Sequence, residues 1–595
     1  MSLNLFSMKR IHAQAATLRE PPHKIAQTWT AHPWRRLVQV ASLALFLVLF
    51  LYVCWPYGSR EYAKAMAGRE FIQAEAFLAL DPLVSISTAL AARAWVWSLT
   101  WAAVLVAACL IIPRGFCGYL CPMGTLIDLF DWAVGKRVTA LRVARDGWWV
   151  HLKYYVLVAT LAASVMGVLV SGFVAAIPVV TRGMLFILGP LQMGAMRGWY
   201  QVPAMNAGQV LSLALFAIVL GLGLLRPRFW CRYVCPTGAI FSVANFLRLA
   251  ERRVQSNCIG CGQCSKACPF DAVKADFTTR PADCTFCQTC GSVCPVHAIK
   301  FVPRWHKAKL EPAAELVASN TGLTCSKRDA VSRRRFIGGT LGGVAGGVLA
   351  ATGIGRVFGA GIDDPGLALP VRPPGSVPER EFLQLCIRCG ECFKACPNNV
   401  LQPMGFQQGV EGLWTPCMVA DWSGCEPSCN NCGQVCPTGA IRAIPLEEKR
   451  AARMGLAVVD ARACLPYAGR EACQMCVDEC QAAGYGAIEF MRVGVEVDEQ
   501  GAPIEGTGLV APVVVADKCV GCGLCQTRCS KINVHAKGLL HESAIIVRAG
   551  KGREDRIGSG SYRALREQER RAKESEARPS ESMPADGGFL PDFLK

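Results

Sequence analysis

Histidine is scarce in this sequence of 595 residues, which contains only eight. A membrane haem b held by two histidines needs both at bilayer depth, yet only His151 lies near a long apolar run, at its end. The Cys-x-x-Cys-His motif that attaches c-type haem is absent, and no Gly-x-Gly-x-x-Gly segment follows a plausible strand. We therefore expect no haem, no flavin motif and no nicotinamide motif.

Charged residues are also few, at 18%, whereas 52% of the residues are hydrophobic and the mean hydropathy is positive. This composition indicates a membrane protein, in contact with lipid. The net charge of +18 does not require a nucleic-acid partner, because many of the basic residues flank apolar segments. Membrane topology is sufficient to explain them, and we expect no nucleic acid to bind.

Cysteine, by contrast, is abundant, with 32 residues. Between positions 258 and 294 the spacing Cys-x2-Cys-x2-Cys-x3-Cys-Pro occurs twice. It is typical of two-cluster bacterial ferredoxins, in which the fourth thiolate of each run ligates the neighbouring cluster. A structural zinc needs four thiolates in two pairs, not eight in two quartets. The predicted ligands of one [4Fe-4S] cluster are Cys258, Cys261, Cys264 and Cys294, and those of the other are Cys284, Cys287, Cys290 and Cys268.

A second cysteine array follows, with two runs of full ferredoxin spacing and two looser variants between them. Its sixteen thiolates suffice for four more cubanes, so we predict six [4Fe-4S] clusters in all. Spacing does not determine which runs share ligands; we expect nested pairing, outer run with outer and inner with inner. Cys417 is a spare alternative to Cys425. The predicted ligands are Cys386, Cys389, Cys392, Cys396, Cys425, Cys429, Cys432, Cys436, Cys464, Cys473, Cys476, Cys480, Cys519, Cys522, Cys525 and Cys529.

Four apolar runs precede the first array, each near the length that a helix needs to cross a bilayer. The loop 113–149 and the segment 226–253 are richer in Lys and Arg than the loop 177–207, whereas the loop 55–94 holds four basic residues. This bias places both ends of the four-helix unit, and the ferredoxin that follows it, in the cytoplasm. The four runs are Leu37–Val53, Trp95–Ile112, Tyr154–Ala176 and Ala207–Leu225.

The motif Cys-x3-Cys-Pro occurs twice, at the ends of the second and fourth apolar runs. Cys-x3-Cys places both sulfurs on one face of a helical turn, and the proline ends or bends the helix. If the two runs are neighbours, the four thiols converge and either bind a soft metal, cycle between dithiol and disulfide, or pack. These candidate redox thiols are Cys117, Cys121, Cys231 and Cys235.

The segment 332–360 begins Ser-Arg-Arg-Arg-Phe and continues as a glycine-rich, mildly apolar run. It resembles a twin-arginine export signal; the alternative is an ordinary membrane helix with two small-xxx-small glycine rows. Both interpretations send the following domain across the membrane. One glycine row is 338, 342 and 346, and the other is 339, 343 and 347.

The predicted fold is an α-helical membrane domain, with four transmembrane helices plus a fifth, twin-arginine-type helix, and two bacterial-ferredoxin-like α+β modules. We expect the proline-rich linker to be stiff and exposed and the charged tail to be disordered. The predicted segments are a basic cytoplasmic N-terminus (1–36), the membrane domain (37–250), a cytoplasmic two-cluster ferredoxin (251–305), a connector (306–331), the signal or fifth helix (332–360), the linker (361–380), a four-cluster polyferredoxin (381–549) and the tail (550–595).

These motifs resemble two families of ferredoxin-type proteins. Residues 30–300 resemble NapH, associated with periplasmic nitrate reductase, and residues 330–545 resemble its partner NapG and MauM of methylamine utilisation. The chain thus resembles a NapH–NapG fusion (MauN/MauM-like). The resemblance implies an electron-transfer protein of the bacterial inner (cytoplasmic) membrane, with its polyferredoxin in the periplasm. In that family, electrons pass from the quinol pool to a periplasmic acceptor, such as a reductase or c-type cytochrome.

Two functions are compatible with these features. The first is a quinol dehydrogenase in which six one-electron clusters separate the electron pair of a quinol. The second is a maturation factor resembling NosR-type and CcoG-type proteins, in which the Cys-x3-Cys-Pro thiols supply reducing equivalents for assembly of a periplasmic metalloenzyme. Titratable groups near helix ends are candidates for a quinone site, namely Asp81, His151 and Lys153.

Overall fold

The computed structural model describes residues 33–53, 76–305, 333–352 and 369–577, apart from positions 136, 139, 144–147, 256, 275, 497, 499, 501–503 and 505. The predicted connector 306–331 and the N-terminus up to residue 32 lie outside the described residues. So do residues 353–360 of the signal or fifth helix, residues 361–368 of the linker and the last 18 residues of the tail.

The N-terminal half forms a helical domain. Its α-helices are α1 (Pro33–Val53), α2 (Ala76–Ala79), α3 (Pro82–Ala92), α4 (Ser98–Ile111), α5 (Pro122–Phe130), α6 (Leu152–Val165), α7 (Ser171–Val174), α8 (Ala176–Arg197), α9 (Ala207–Gly221) and α10 (Pro236–Ala244). Single π-helical turns lie at Phe116–Leu120, Asp131–Gly135 and Trp230–Val234, and 3₁₀ turns at Trp148–His151, Trp199–Gln201, Leu222–Leu224 and Asn245–Leu247.

Within the described residues, three helices are long and apolar enough to cross a membrane, at Pro33–Tyr52, Ala176–Arg197 and Ala207–Leu224. The first and third match predicted runs. The second lies where the sequence predicted a loop, because Arg182 and Pro190 interrupt its apolar pattern. The Arg182 side chain is buried and donates hydrogen bonds to the carbonyls of Gly172 (2.8 Å) and Arg388 (2.5 Å), so its charge has partners there.

The other two predicted spans are shorter helices. The run from Trp95 forms α4, whose 14 residues extend about 21 Å, less than the roughly 30 Å of a hydrocarbon core. The run from Tyr154 does not continue to Ala176, because α6 ends at Val165. Gly167 follows with a φ of +87°, a left-handed conformation that suits glycine and closes the helix. Neither of these two runs therefore forms a single α-helix of the predicted length.

The segment predicted as a fifth membrane helix forms α13 (Arg333–Thr352), which packs along α6. A Cβ atom on Gly347 would lie 2.5 Å from the carbonyl oxygen of Ala159, and one on Gly343 would lie 3.2 Å from that of Tyr155. The row 338, 342 and 346 faces open space instead. One of the two predicted small-residue rows is thus a helix–helix contact, as expected for close packing of backbones.

The ferredoxin unit follows the helical domain. It comprises β1 (Ala250–Val254), α11 (Gln263–Ala267), α12 (Thr289–Ser292) and β2 (Ile299–Pro303). Strands β1 and β2 pair antiparallel, from Ala250 opposite Pro303 to Val254 opposite Ile299. This ribbon joins the two ends of the unit, and the cysteine-bearing segments lie between its strands in the chain.

The polyferredoxin domain contains two ferredoxin-like repeats, the first with the cysteines between positions 386 and 436 and the second with those between 464 and 529. Pairing is antiparallel throughout: β3 with β4, β5 with β8 and β6 with β7. Its elements are α14 (Glu379–Leu385), α15 (Glu391–Ala395), β3 (Leu401–Pro403), α16 (Gly409–Gly412), β4 (Pro416–Met418), α17 (Asn431–Gln434), α18 (Leu446–Ala451), β5 (Leu456–Val459), α19 (Met475–Ala482), β6 (Ile488–Val493), β7 (Leu509–Val514), α20 (Leu524–Cys529), a π-helical turn at Ser530–Ala536, β8 (Ile545–Arg548) and α21 (Tyr562–Ala577).

Two expectations about irregular segments are corrected by packing. The described part of the linker, from residue 369, is mostly buried: Arg372 is 1% exposed, and its guanidinium pairs with Glu379 at 2.5 Å. In the tail, α21 begins at the fully buried Tyr562, whose amide donates to Glu448 (2.6 Å). Arg372 also donates to the carbonyl of Pro416 (2.7 Å), so contacts with residues distant in sequence order both segments.

The ferredoxin unit and the polyferredoxin domain contact opposite ends of the same helices. Helix α1 begins at the ferredoxin side, where Arg35 lies near the Cys287 thiol, and near its end the Phe50 ring lies 4.0 Å from the ammonium of Lys394. Helix α6 begins where Lys153 pairs with Asp283 (3.0 Å) and leads to Gly167, beside the polyferredoxin domain. The helical domain therefore separates the two cysteine arrays.

Candidate iron–sulfur cluster sites

Two pockets in the ferredoxin unit are lined by the cysteines that spacing grouped together. One is lined by Cys258, Cys261, Cys264 and Cys294. The other is lined by Cys268, Cys284, Cys287 and Cys290. Each pocket receives three cysteines from one run and the last from the other run. This exchange is the ligand arrangement that two adjacent cubanes require.

The polyferredoxin domain contains three comparable pockets, and they correct the expected nested pairing. Neighbouring runs along the chain exchange their fourth cysteines instead. The first pocket is lined by Cys386, Cys389, Cys392 and Cys436, the second by Cys396, Cys425, Cys429 and Cys432, and the third by Cys464, Cys473, Cys476 and Cys529. The remaining group is Cys480, Cys519, Cys522 and Cys525, and Cys525 lies near the other three.

The backbone explains why this spacing positions the sulfurs. The residue that directly follows the second cysteine is left-handed: Gly262 has a φ of 71°, Gly390 of 90° and Gly523 of 78°. Glycine adopts this conformation without the steric cost of a Cβ atom. The chain reverses there and starts a short helix that carries the third cysteine. In the second ferredoxin run Gln288 takes the same role, with a φ of 59°.

Backbone amides donate to the fourth cysteine of most runs. The amide of Ala272 lies 3.3 Å from the Cys268 sulfur, and that of Ala298 lies 3.3 Å from the Cys294 sulfur. In the polyferredoxin domain the corresponding donors are Ile441 to Cys436 (3.4 Å) and Ala487 to Cys480 (3.2 Å). Such hydrogen bonds stabilise ligating thiolates and tune the potential of a cluster.

Burial determines the protonation of these thiols when no metal is bound. It raises the pKa of both Cys268 and Cys284 to about 12, and neighbouring thiols add to the rise. Cluster iron binds thiolates, so loading releases protons and fixes negative charge in the pocket. The residues present fit [4Fe-4S] clusters in number, spacing and hydrogen-bond donors.

Contacts between runs define an order of pockets through the polyferredoxin domain. The Cys389 pocket lies at the helical domain, beside the buried Arg182. The Cys425 amide donates to the carbonyl of Cys522 (2.7 Å), which joins the first ferredoxin repeat to the second. The Cys529 pocket belongs to the second repeat. The pockets therefore lead away from the helical domain.

Cys417 lies outside all of these pockets. Its sulfur contacts the carbonyl oxygen of Gln402 at 3.4 Å, on the ribbon of β3 and β4. Cys425, by contrast, lines a pocket. The expectation that Cys417 is a spare agrees with this placement.

The two Cys-x3-Cys-Pro motifs converge in the helical domain. Burial raises the pKa of Cys121 well above its usual value, and the nearby Cys117, Cys231 and Cys235 thiols raise it further. We name these four the thiol quartet. Each motif forms a π-helical turn that proline ends, and a new helix starts at that proline, Pro122 in one motif and Pro236 in the other.

A buried arginine accompanies each motif, three residues before its first cysteine. Arg114 donates to the carbonyl of Cys231 (3.4 Å), and Arg228 donates to that of Cys117 (3.1 Å). Both arginine side chains are fully buried. Each arginine thus donates a hydrogen bond to the other motif, and the two hydrogen bonds connect the two Cys-x3-Cys-Pro motifs.

Asp128, in α5, anchors one of these arginines. Its carboxylate lies 2.5 Å from Arg228, 2.8 Å from Arg35 and 2.5 Å from Arg36. Burial alone would raise the pKa of Asp128, but Arg228 and Arg35 outweigh that effect and hold it well below its usual value. From the sequence, Arg35, Arg114 and Arg228 belong to the basic residues that flank apolar runs and determine membrane orientation. The repeated pattern Arg-x2-Cys-x3-Cys-Pro-x-Gly was the signal that could have identified two of them.

Of the three candidate quinone-site residues, His151 and Lys153 lie together beside the Tyr154 ring at the start of α6, and Asp81 makes its contacts elsewhere. Asp81 is fully buried, accepts from the Thr237 hydroxyl (3.1 Å) and caps α3 through the Leu83 amide (3.0 Å). Lys153 pairs with Asp283, as described above. His151 is half-buried near the Tyr154 ring. Asp81 lies close enough to the thiol quartet to raise the pKa of Cys235, which burial has already raised.

Ligand exchange between neighbouring runs predicts which substitutions are redundant. We expect Cys389→Ala, Cys436→Ala and their double variant each to lose about four irons per chain, because both residues line one pocket. Cys389→Ala combined with Cys529→Ala should lose about eight, since these line different pockets. Iron analysis of anaerobically purified protein measures both. Nested pairing predicts the reverse result. The double variant of Cys389 and Cys529 would then lose about four irons, and that of Cys389 and Cys436 about eight.

Comparisons with known proteins identify related sequences. Family models described as a 4Fe-4S binding domain match residues 93–140 and 383–402, and the LdpA Fe-S cluster-binding domain matches residues 226–279. The methylamine utilization ferredoxin-type protein MauM of Methylorubrum extorquens is 40% identical over 167 residues, which are 27% of this chain and 69% of that protein. MauM of Paracoccus denitrificans is 37% identical over 166 residues, 27% of this chain and 67% of the relative.

The ferredoxin-type protein NapG of Escherichia coli is 36% identical over 165 residues, which are 27% of this chain and 65% of NapG. No solved structure matches the chain at comparable significance. The matches and the cysteine pockets together support a ferredoxin-type iron–sulfur protein.

Proposed function

The chain belongs to the family of ferredoxin-type proteins that includes MauM, and from this premise we propose that it is a membrane-bound quinol dehydrogenase. In this proposal it takes electrons from the quinol pool and passes them through six [4Fe-4S] clusters to a periplasmic reductase or c-type cytochrome. One observation carries the proposal: cysteine pockets flank the helical domain at both of its ends.

A bilayer around the helical domain supplies the geometry for outward electron transfer. Helix α1 has 21 residues and extends about 32 Å, close to the thickness of a hydrocarbon core. Its two ends contact the ferredoxin unit and the polyferredoxin domain, respectively. With the bilayer in this position the two units lie in different compartments. The basic segments 113–149 and 226–253 contact the ferredoxin unit, through Arg114 and Arg226 for example, and support a cytoplasmic ferredoxin unit.

The chemistry of quinol oxidation suits several one-electron carriers. A quinol becomes a quinone by losing two electrons and two protons, and clusters of this type each accept one electron. The chain contributes their positions, and amides such as those of Ala272 and Ile441 contribute hydrogen bonds to the ligating sulfurs. The protons leave to water, and the electrons pass from pocket to pocket toward the second polyferredoxin repeat.

Titration with a quinol tests the proposal. We expect a water-soluble ubiquinol or menaquinol analogue, added anaerobically to the purified full chain, to produce the paramagnetic resonance signal of reduced [4Fe-4S] clusters. Dithionite, which reduces without a quinone site, serves as the control for clusters that are present and reducible. A protein that dithionite reduces and that neither quinol reduces is not a quinol dehydrogenase.

A further inference from the structure

We propose that the thiol quartet holds a seventh iron–sulfur cluster, a [4Fe-4S] cubane between the ferredoxin unit and the polyferredoxin domain. Its ligands are Cys117 and Cys121 from one motif and Cys231 and Cys235 from the other. The matched family models cover these motifs in separate segments, residues 93–140 and 226–279. The structure adds that the two segments meet.

The surroundings of the quartet repeat almost symmetrically. A Cβ atom on Gly124 would lie 3.2 Å from the carbonyl oxygen of Cys117, and one on Gly238 would lie 3.2 Å from that of Cys231. Glycine at this place lets the helix after the proline pass close against the turn that carries the first cysteine. The two halves thus present their thiols in the same way, as expected for one shared cofactor.

The spacing of the quartet fits a polynuclear cluster better than a single ion. Among the described residues, no three histidine, cysteine, aspartate or glutamate side chains lie close enough together to hold a single metal ion. The same holds for the cysteines around the ferredoxin pockets, which are spaced for cubanes. A tetrahedral zinc or copper site would need its sulfurs about 2.3 Å from one metal atom.

Charge also favours an anionic occupant. The Arg114 side chain is fully buried, and its nearest carboxylate, Asp283, is 3.9 Å away. That carboxylate pairs more closely with Lys153, at 3.0 Å. One carboxylate therefore faces two cations beside the quartet. A cubane held by four thiolates carries net negative charge and would compensate the buried guanidinium.

Position gives the cluster a role that rests on the proposed function. Within the first π-helical turn, between its two cysteines, Tyr119 donates its hydroxyl proton to the carbonyl of Phe286 (2.8 Å), which lies between Cys284 and Cys287. Within the second turn, Arg232 pairs with Asp271 (2.5 Å), three residues after Cys268. Both turns thus contact the chain around the same ferredoxin pocket, and the quartet continues the row of pockets into the helical domain.

Iron analysis of the full chain decides whether the cluster exists. We expect about 28 irons per chain in the anaerobically purified wild type, four for each of seven cubanes, and about 24 in a Cys117→Ala/Cys231→Ala variant. Cys417→Ala is the matched control and should retain about 28. Paramagnetic resonance of the dithionite-reduced variant should show the six remaining clusters, which establishes that it has folded.

A wild-type content of about 24 irons that the double substitution leaves unchanged would overturn the proposal. If the variant does not fold, the iron content of the wild type still decides between seven clusters, with about 28 irons, and six clusters, with about 24. Four cysteines that resist alkylation after anaerobic denaturation and iron removal would identify two disulfides instead of a cluster. A chain with 28 irons that no quinol reduces keeps the seventh cluster and loses only the proposed function.

Discussion

Replacing Asp128 by asparagine should destabilise the helical domain by about 3–5 kcal/mol, because it leaves buried arginines without a counter-charge. The carboxylate pairs with Arg35, Arg36 and Arg228, and Arg228 in turn donates to the Cys117 carbonyl. A change of this size lowers the melting temperature by roughly 10 °C in a domain of about this length. Thermal unfolding in detergent, followed by size-exclusion chromatography of the heated samples, measures it.

The pH dependence of this difference follows from the low pKa of Asp128. A carboxyl whose folded-state pKa is depressed contributes stability that is present above its unfolded pKa and is lost as the pH falls through its folded pKa. The gap between wild type and variant should therefore be constant near neutrality and shrink only below about pH 4.

Glu489→Gln is the matched control for the Asp128 variant. It removes the carboxylate from an ion pair with Lys518 in which both side chains are more than half exposed, at 58% and 53%. Exposed pairs contribute little, so its melting temperature should equal that of the wild type. An Asp128→Asn protein as stable as this control would show that the buried cluster of charges does not hold the helical domain together.

Removal of iron should unfold the ferredoxin unit and the polyferredoxin domain while the helical domain keeps its helices. Six of the fifteen buried residues in the core of the second polyferredoxin repeat are cysteines that surround its pockets. Without clusters, this core consists of thiols around open pockets, and the strand pairs that enclose it are four to six residues long. The loss should exceed the roughly 5–15 kcal/mol that stabilises a typical domain.

Limited proteolysis with mass spectrometry measures the effect of iron removal. After treatment with a chelator and an oxidant, cleavage should appear within 251–305 and 381–549, whereas helices such as α9 should remain intact. The same protease treatment of untreated protein, kept anaerobic, is the control. Protease resistance of 381–549 without iron would mean that the protein core alone, without clusters, maintains this fold.

The local sequence was sufficient to identify the cysteine runs as ligands of iron–sulfur clusters. Three thiols at spacings of three residues ligate one cubane, and the fourth, before a proline, ligates the neighbouring cubane, so the groups around Cys258 and Cys284 could be assigned directly from the sequence. Hydropathy likewise identified α1 and α9. It missed α8, because Arg182 looks incompatible with an apolar helix until its partners, the carbonyls of Gly172 and Arg388, are known.

The sequence by itself thus determined that this is a ferredoxin-type iron–sulfur protein with apolar helices. Each of these properties depends only on residues that are close together in the chain. Tertiary structure alone decided which runs exchange their fourth cysteine, that the two Cys-x3-Cys-Pro motifs meet, and that Arg114 and Arg228 are buried rather than exposed. Each of these depends on contacts between residues far apart in the chain, such as Arg114 with Cys231. Packing selects such contacts, and local spacing does not encode them.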